Sequence, residues 1–302
     1  MTEHFADRLA EAVRRTGNPV CVGLDPRWES LPAGFIEKGN GSVDAKARAY
    51  ARFCNEVSDA VAPLVPVVKV QAAFFEELGP AGMAAMSDVI AHAQQRGLLV
   101  ILDGKRNDIG STAEAYARGY LGRESAWRAD ALTVSPYLGD DSLAPFVDVA
   151  NERGAGLFVL VKTSNPGGRM LQDLQCDGRA LYACVAEHVE ALAAKSRGAC
   201  GYGCVGAVVG ATYPEQLAEL RRAMPHTWFL VPGFGSQGGR AADVVAAFDS
   251  RGLGAIINNS RGIIFAHKRP EFAERFGSPR WQDAVDAATR EMIAELGAAV
   301  GS

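Results

Sequence analysis

The sequence predicts an α/β protein folded as a single-domain, closed (β/α)8 TIM barrel, and three observations carry that expectation. Eight short apolar runs recur along the chain without internal polar alternation, as strands do when both faces of a parallel sheet are covered. Successive runs begin roughly 25–50 residues apart, which leaves room for one crossover helix each. No run has the polar character of an edge strand, which an open doubly wound sheet needs and a barrel does not.

Taken in order, residues 1–17 are charged throughout and lack the apolar centre of a secretory signal. They read instead as an amphipathic helix with Phe5, Leu9, Ala12 and Val13 on one side. The expected strands are residues 20–24, 65–70, 98–102, 131–134, 157–161, 205–209, 228–231 and 255–257. Among the intervening helices, residues 177–197 set Leu181, Cys184, Val185, His188 and Leu192 at helical spacing, a candidate buried stripe. Residues 213–224 open on Thr-Tyr-Pro, with Pro214 in the first turn where its missing N–H costs little. Two connections are long, residues 26–42 after the first strand and 165–178 after the fifth. Long loops at the strand ends of a barrel are where binding parts sit. No Ser/Pro/Gly-rich linker divides the chain. Residues 1–302 are therefore expected to form one barrel domain, with the N-terminal helix ahead of it and a C-terminal helical extension behind.

Composition narrows the function classes. The chain of 302 residues is 48% hydrophobic and 22% charged, ordinary globular usage that excludes disorder and a fibrous repeat. Its longest apolar runs, such as residues 61–68, fall far short of the ~20 residues of a membrane helix, so no membrane partner is expected. A net charge of -4 gives no reason to expect a nucleic-acid partner. Local Arg and Lys can still hold a small anion. Six cysteines without an export signal suggest free thiols in a cytoplasmic protein; Cys200 and Cys204 lack a second pair to complete a zinc site.

The third run ends in the most informative stretch, Leu98-Leu-Val-Ile-Leu-Asp103-Gly-Lys105-Arg-Asn-Asp108-Ile-Gly-Ser-Thr112. Side chains two apart on an extended chain share a face, so Asp103 and Lys105 can both point into the barrel mouth. Asp108 follows a few loop residues later, so an ammonium lies between two carboxylates in sequence. Alone, this pattern also suits a surface ion-pair cluster capping a helix. Position favours chemistry, because barrel enzymes work at the C-terminal ends of their strands. Lys69 interrupts the apolar second run and must be paired or face the mouth, since an unpaired buried ammonium is very costly. Asp25 ends the first run at the same rim, so Asp25, Lys69, Asp103, Lys105 and Asp108 can alternate in sign.

The seventh run leads into Pro232-Gly233-Phe-Gly235-Ser-Gln237-Gly238-Gly239 and the eighth into Asn258-Asn-Ser260-Arg261-Gly262. Glycines let backbone N–H groups approach an anion, a helix start favours negative charge, and a guanidinium suits bidentate phosphate contact. Barrel phosphate sites often use these two loops. Gly233, Gly235 and Gly238 also fit G-x-G-x-x-G, the dinucleotide fingerprint, and the same glycines could serve only a turn. His4, His92, His188, His226 and His267 all lie off the strand ends and read as surface or packing residues. No HExxH, nucleophile elbow or metal-spaced carboxylate set is present, so no metal is expected.

These motifs together resemble the orotidine 5′-phosphate decarboxylase family, in its longer bacterial branch. The resemblance rests on Val22-Gly-Leu-Asp25-Pro-Arg27, Lys69-Val-Gln-Ala-Ala-Phe-Phe-Glu76, Asp103-Gly-Lys105-Arg-Asn-Asp108-Ile-Gly-Ser-Thr112, Thr163-Ser164-Asn165-Pro166, Pro232-Gly-Phe-Gly-Ser-Gln237-Gly and Ser260-Arg261-Gly-Ile. Asn107 departs from the branch, which more often has glycine there, and is expected to perturb the turn. The resemblance implies a cytoplasmic homodimer that converts orotidine 5′-monophosphate to uridine 5′-monophosphate and CO2 without cofactor or metal. It implies that Asp103 faces the leaving carboxylate and Lys105 protonates the ring carbon. Lys69 would hold Asp103 and the ribose, and Asp25 would bind ribose hydroxyls. Asp108 and Thr112 would reach into the partner's site. Ser164 would bond the pyrimidine, while Gln237 and Arg261, beside Gly235, would hold the phosphate.

Three rivals remain on sequence grounds. A sugar-phosphate decarboxylase or aldolase of the same barrel superfamily shares the Asp-x-Lys-x-x-Asp element and would use magnesium. A nicotinamide-dependent oxidoreductase would use the glycine loop, and a non-catalytic phosphate-ligand sensor would leave the charges purely structural.

Overall fold

The computed structural model describes residues 3–35, 41–235 and 239–300. Eight parallel strands close into a barrel: β1 (Val20–Leu24), β2 (Val67–Gln71), β3 (Leu99–Arg106), β4 (Ala131–Val134), β5 (Gly156–Lys162), β6 (Val205–Val209), β7 (Phe229–Val231) and β8 (Ala255–Asn259). Each pairs with its neighbours in sequence, and β8 returns to β1 through Val20 opposite Ile257. The expected strands are all present. The second begins at Val67 instead of 65 and the third runs on to Arg106.

Helix α1 (Phe5–Thr16) precedes the barrel. The strands are joined by α2 (Val43–Val61), α3 (Gly79–Gln95), α4 (Gly110–Leu121), α5 (Asp140–Arg153), α6 (Leu181–Lys195), α7 (Pro214–Ala223) and the short α8 (Ala241–Val244), and α9 (Trp281–Val300) follows β8. Local chemistry sets several ends. Ser42 accepts from the Ala45 N–H at the start of α2, Pro214 occupies the first turn of α7, and Gly17 stops α1 in the left-handed region at φ 69°. Helix α9 packs Trp281 against Phe53 of α2, ring centroids 5.2 Å apart. Among the described residues no helix is long and apolar enough to cross a membrane.

Residues 177–197 do not form one helix. The segment up to Ala180 belongs to a small antiparallel hairpin, Gln175–Cys176 with Arg179–Ala180, and α6 begins at Leu181. Its buried face is Tyr182, Ala186, Val189 and Ala193; Leu181, Cys184, Val185, His188 and Leu192 are only half-buried. Val185 and Leu192 of the expected stripe still pack against the core from its margin.

Inside the barrel each strand contributes one residue to an apolar floor: Cys21, Val67, Ile101, Ala131, Phe158, Val208, Leu230 and Ile256. Helix α1 seals this end with Phe5, Leu9 and Val13, as its amphipathic pattern predicts. Phe5 meets Phe158 edge to face at 6.1 Å, so close to β5 that a Cβ on Gly156 would sit 2.2 Å from the Phe5 ring. Arg8 fixes the plug by pairing with Asp130 at 2.7 Å and donating to the Gly154 carbonyl. With one end filled, ligand access falls to the other.

Candidate active site

Two residues above the floor, strand alternation turns the next side chains inward at the C-terminal end of the barrel. Val67 is succeeded by Lys69 and then Gln71, Ile101 by Asp103, Ala131 by Thr133, Phe158 by Leu160 and Ile256 by Asn258. These side chains, with Asp25, Lys105 and residues of the loops after β5, β7 and β8, line a cavity of about 640 Å³. Gly23 occupies the corresponding place on β1, where a Cβ would lie 1.9 Å from Ser260 Oγ. The glycine keeps β1 clear of the β8 loop.

Asp103 is the centre of the array. Its Oδ2 accepts from Lys69 Nζ at 2.8 Å and Gln71 Nε2 at 2.9 Å, and its Oδ1 accepts from Lys105 Nζ at 2.6 Å and Thr133 Oγ1 at 2.9 Å. Burial pushes this carboxyl up, but the ammonium groups of Lys69 and Lys105 and their hydrogen bonds outweigh it, holding Asp103 well below the usual carboxylate range. Lys69 shows the mirror effect. It is only 4% exposed, and burial would lower it, yet Asp103 and then Asp25 raise it above the ordinary lysine value. Both groups are therefore charged at neutral pH. Asp25 Oδ1 lies 3.8 Å from Lys69 Nζ and has no hydrogen-bond partner among the described residues.

Lys105 does not reach the mouth by simple alternation. The register of β3 against β4 shifts between Leu102 and Arg106, and Lys105 takes the left-handed region at φ 46°. A non-glycine residue there is strained and persists only where its surroundings fix it. Here the Lys105 N–H donates to Thr133 Oγ1 at 2.9 Å while its ammonium grips Asp103. The side chain stays 47% exposed, so this ammonium is buttressed on one side and open to the cavity on the other. Asn107 does not take a positive φ; the left-handed positions in this stretch fall on Lys105 and Gly110.

The remaining expected residues divide. Ser164 and Arg261 line the cavity, Ser164 on the loop after β5 and Arg261 exposed at the turn after β8. Gly235 does not line it: Gly233 and Phe234 do, and the Gly235 N–H is committed to the Gly239 carbonyl at 2.9 Å. Gln237 lies outside the described residues. Asp108 and Thr112 are absent from the cavity wall of their own chain. Asp108 Oδ1 accepts from the Ile109 N–H, so Lys105 pairs with Asp103 and not with both carboxylates. Sequence reasoning missed Gln71 and Thr133, which complete the Asp103 shell, and Arg27, which lines the cavity with its guanidinium 5.4 Å over the Phe74 ring. Continuing the inward alternation past Lys69 and Ala131 would have found the first two.

Among the described residues no three His, Cys, Asp or Glu side chains group as a metal site. What the arrangement offers is a fixed anion, a buried cation that holds it, and a second cation exposed to a ligand.

Comparison with known proteins identifies one family. The family described as "Orotidine 5'-phosphate decarboxylase / HUMPS family" matches residues 18–276. A Rhodopirellula baltica protein named orotidine 5′-phosphate decarboxylase is 60% identical over 297 residues, covering 97% of this chain and 98% of that one. Among solved structures, Leishmania donovani OMP decarboxylase superposes with a TM-score of 0.77 at 35% identity, covering 100% of both chains. Leishmania donovani UMP synthase gives 0.79 at 36% identity, covering 99% of this chain and 57% of that longer one. The match spans the strands that carry Lys69, Asp103 and Lys105, and on it the chain belongs to the orotidine 5′-phosphate decarboxylase / HUMPS family.

Proposed function

We propose that this chain catalyses the decarboxylation of orotidine 5′-monophosphate to uridine 5′-monophosphate and CO2, the last step of de novo UMP biosynthesis. The observation that carries the reading is Asp103, held ionised between two ammonium groups at the cavity wall, Lys69 buried and Lys105 half exposed. When the carbon–carbon bond to the carboxylate breaks, its electron pair stays on a ring carbon, in the ring plane, where no π system spreads it. An ammonium fixed beside that carbon stabilises the charge as it develops and then delivers a proton to it; water restores the lysine. Such preorganised electrostatics are usually the largest catalytic contribution. No cofactor is required by these steps.

The other roles follow from place. Asp103 faces the departing carboxylate, and Lys69 holds Asp103 while the Oδ1 of Asp25, without a hydrogen bond among the described residues, offers an acceptor to ribose hydroxyls. Ser164 meets the pyrimidine, and Arg261 with Gln237 takes the phosphate. Asp108 and Thr112 act in the partner subunit of a homodimer. Three exposed apolar side chains at the ends of β3 and β4, Ile109, Tyr137 and Leu138, support that assembly. We assign residues 1–302 to one domain with α1 as its floor and α9 as its extension, working in the cytoplasm.

Loss of the substrate's ultraviolet band, followed in the presence of a chelator, tests the reading directly. Turnover that persists supports it. Turnover abolished by the chelator favours a metal-dependent sugar-phosphate relative, and nucleotide binding without turnover favours a sensor. Arg261→Ala is expected to raise KM about 10²-fold, the loss of a charge-assisted phosphate contact, and to lower kcat as well, because remote binding energy also serves the chemical step. An unchanged substrate dependence removes Arg261 from the phosphate site. Mixing inactive Asp108→Ala and Lys105→Ala proteins should regain up to about a quarter of wild-type activity, since random subunit exchange leaves one intact site in half of the dimers. No recovery after verified exchange argues for self-contained sites.

A further inference from the structure

Lys162 breaks the alternation that builds the site. Phe158 and Leu160 face the barrel interior, so Lys162 at the end of β5 would be expected to enter the cavity beside Lys69. The register of β5 against β6 shifts between Leu160 and Lys162, and the lysine does not line the cavity. It is 1% exposed, ion-paired with Asp173, with its ammonium 5.3 Å from the Tyr182 ring centroid and 4.8 Å from that of Tyr213. Two aromatic faces and a carboxylate compensate the cost of burying it.

Asp173 closes the stretch 163–173, which carries Ser164 and Asn165 to the cavity wall. A second tie lies beside the first: Gln172 Oε1 accepts from the Thr163 N–H at 3.0 Å, and Gln172 Nε2 donates to Thr163 Oγ1 at 2.8 Å. Thr163 Oγ1 in turn donates to Asn165 Oδ1 at 2.7 Å. The backbone of Gly168 fits into this ring, where a Cβ would lie 2.9 Å from Thr163 Oγ1. On the far side the Gly210 N–H donates to the Lys162 carbonyl at 2.7 Å and Thr212 Oγ1 to the Ser164 carbonyl at 3.3 Å. One buried ammonium thus joins the strand end, its loop, α6 and the start of α7.

We propose that Lys162 is a positioning residue for the base-binding side of the site: by clasping Asp173 it anchors the loop after β5 so that Ser164 and Asn165 hold their places at the cavity wall. The proposal rests on the reading that Ser164 meets the pyrimidine. The charge gives the loop a direction as well as an attachment, because an apolar pair would tolerate sliding that an ammonium–carboxylate contact does not.

The test compares two inhibitors of the full-length protein, UMP, which has a base, and ribose 5-phosphate, which does not. Asp173→Asn is expected to weaken UMP and to lower kcat/KM by about tenfold or more, as misplaced binding groups do, and to leave ribose 5-phosphate within about twofold. Lys162→Met should do the same where it folds. The double variant Lys162→Met with Asp173→Leu should recover the denaturation midpoint but keep the UMP defect. A purely structural lysine predicts equal weakening of both inhibitors, or UMP affinity restored in the double variant; either result overturns the proposal. Amide hydrogen exchange over residues 163–173 should quicken in Asp173→Asn whatever the site binds, and unchanged exchange also overturns it. If the wild-type protein does not turn over orotidine 5′-monophosphate, the functional reading falls while the exchange result still judges the anchor.

Discussion

Lys105→Ala is expected to lower turnover on the order of 10⁴-fold or more while UMP binds within a few-fold of wild type. On the proposed mechanism the lysine serves twice, as the cation beside the developing carbanion and as the acid that quenches it, and both services are rendered to the transition state. On the same proposal, ground-state binding rests elsewhere, on the phosphate and ribose contacts. Loss of stability cannot account for the effect, because the side chain is 47% exposed and Asp103 keeps Lys69, Gln71 and Thr133. The backbone supplies a control. Residue 105 sits at φ 46°, so Lys105→Gly relieves a strain of about 1 kcal/mol that Lys105→Ala retains. The glycine variant should therefore be the more stable of the two in denaturant and equally inactive. Single-turnover rates with UMP titrations and melts of both variants check this; near-normal turnover in either would remove Lys105 from the chemistry.

That strain marks the boundary of what the sequence makes legible. The strands were readable because a strand covered on both faces is apolar at every position, and the same alternation that sets the floor lifts Lys69 and Asp103 into the cavity above it. Gln71 and Thr133 follow the same alternation but carry no charge to draw notice, though they fill half of the Asp103 shell. Lys105 and Lys162 depend on register shifts, which arise from the packing of neighbouring strands and leave no local signature. One shift aims an ammonium into the cavity and the other turns one away. Helix α6 carries two adjacent apolar stripes, and spacing alone does not choose between Tyr182–Ala186–Val189–Ala193, which is buried, and its half-buried neighbour. Asp108 read as a member of the charge array on sequence spacing, but its carboxylate satisfies the next backbone N–H instead.

Lys69→Met is expected to destabilise the protein by about 3–5 kcal/mol and to remove most activity, since on the proposed mechanism it acts by holding Asp103. Lys69 is the buried cation of the array, 2.8 Å from Asp103 and 3.8 Å from Asp25. Without it, two carboxylates share a poorly solvated pocket with only the half-exposed Lys105 for compensation. The pH dependence gives the sharper signature. In the wild type, Asp103 is depressed, so its contribution is complete above the unfolded carboxylate value of about 4 and is lost only as pH falls through the lower folded value. Lys69 is raised, so its contribution is complete below about 10 and is lost only as pH rises through the higher folded value. Between those limits Asp103 and Lys69 add no slope to stability. In Lys69→Met the sign reverses for the carboxylates: two like charges in one pocket raise the affinity for a proton, so the folded state gains a proton that the unfolded state does not hold. Stability should then increase as pH falls from neutral towards the unfolded carboxylate value, a trend that Asp103 and Lys69 do not contribute in wild type. Denaturant midpoints for both proteins at neutral pH and at about pH 5 measure it, and a variant whose difference from wild type is the same at both would mean that Asp103 does not depend on Lys69 for its charge.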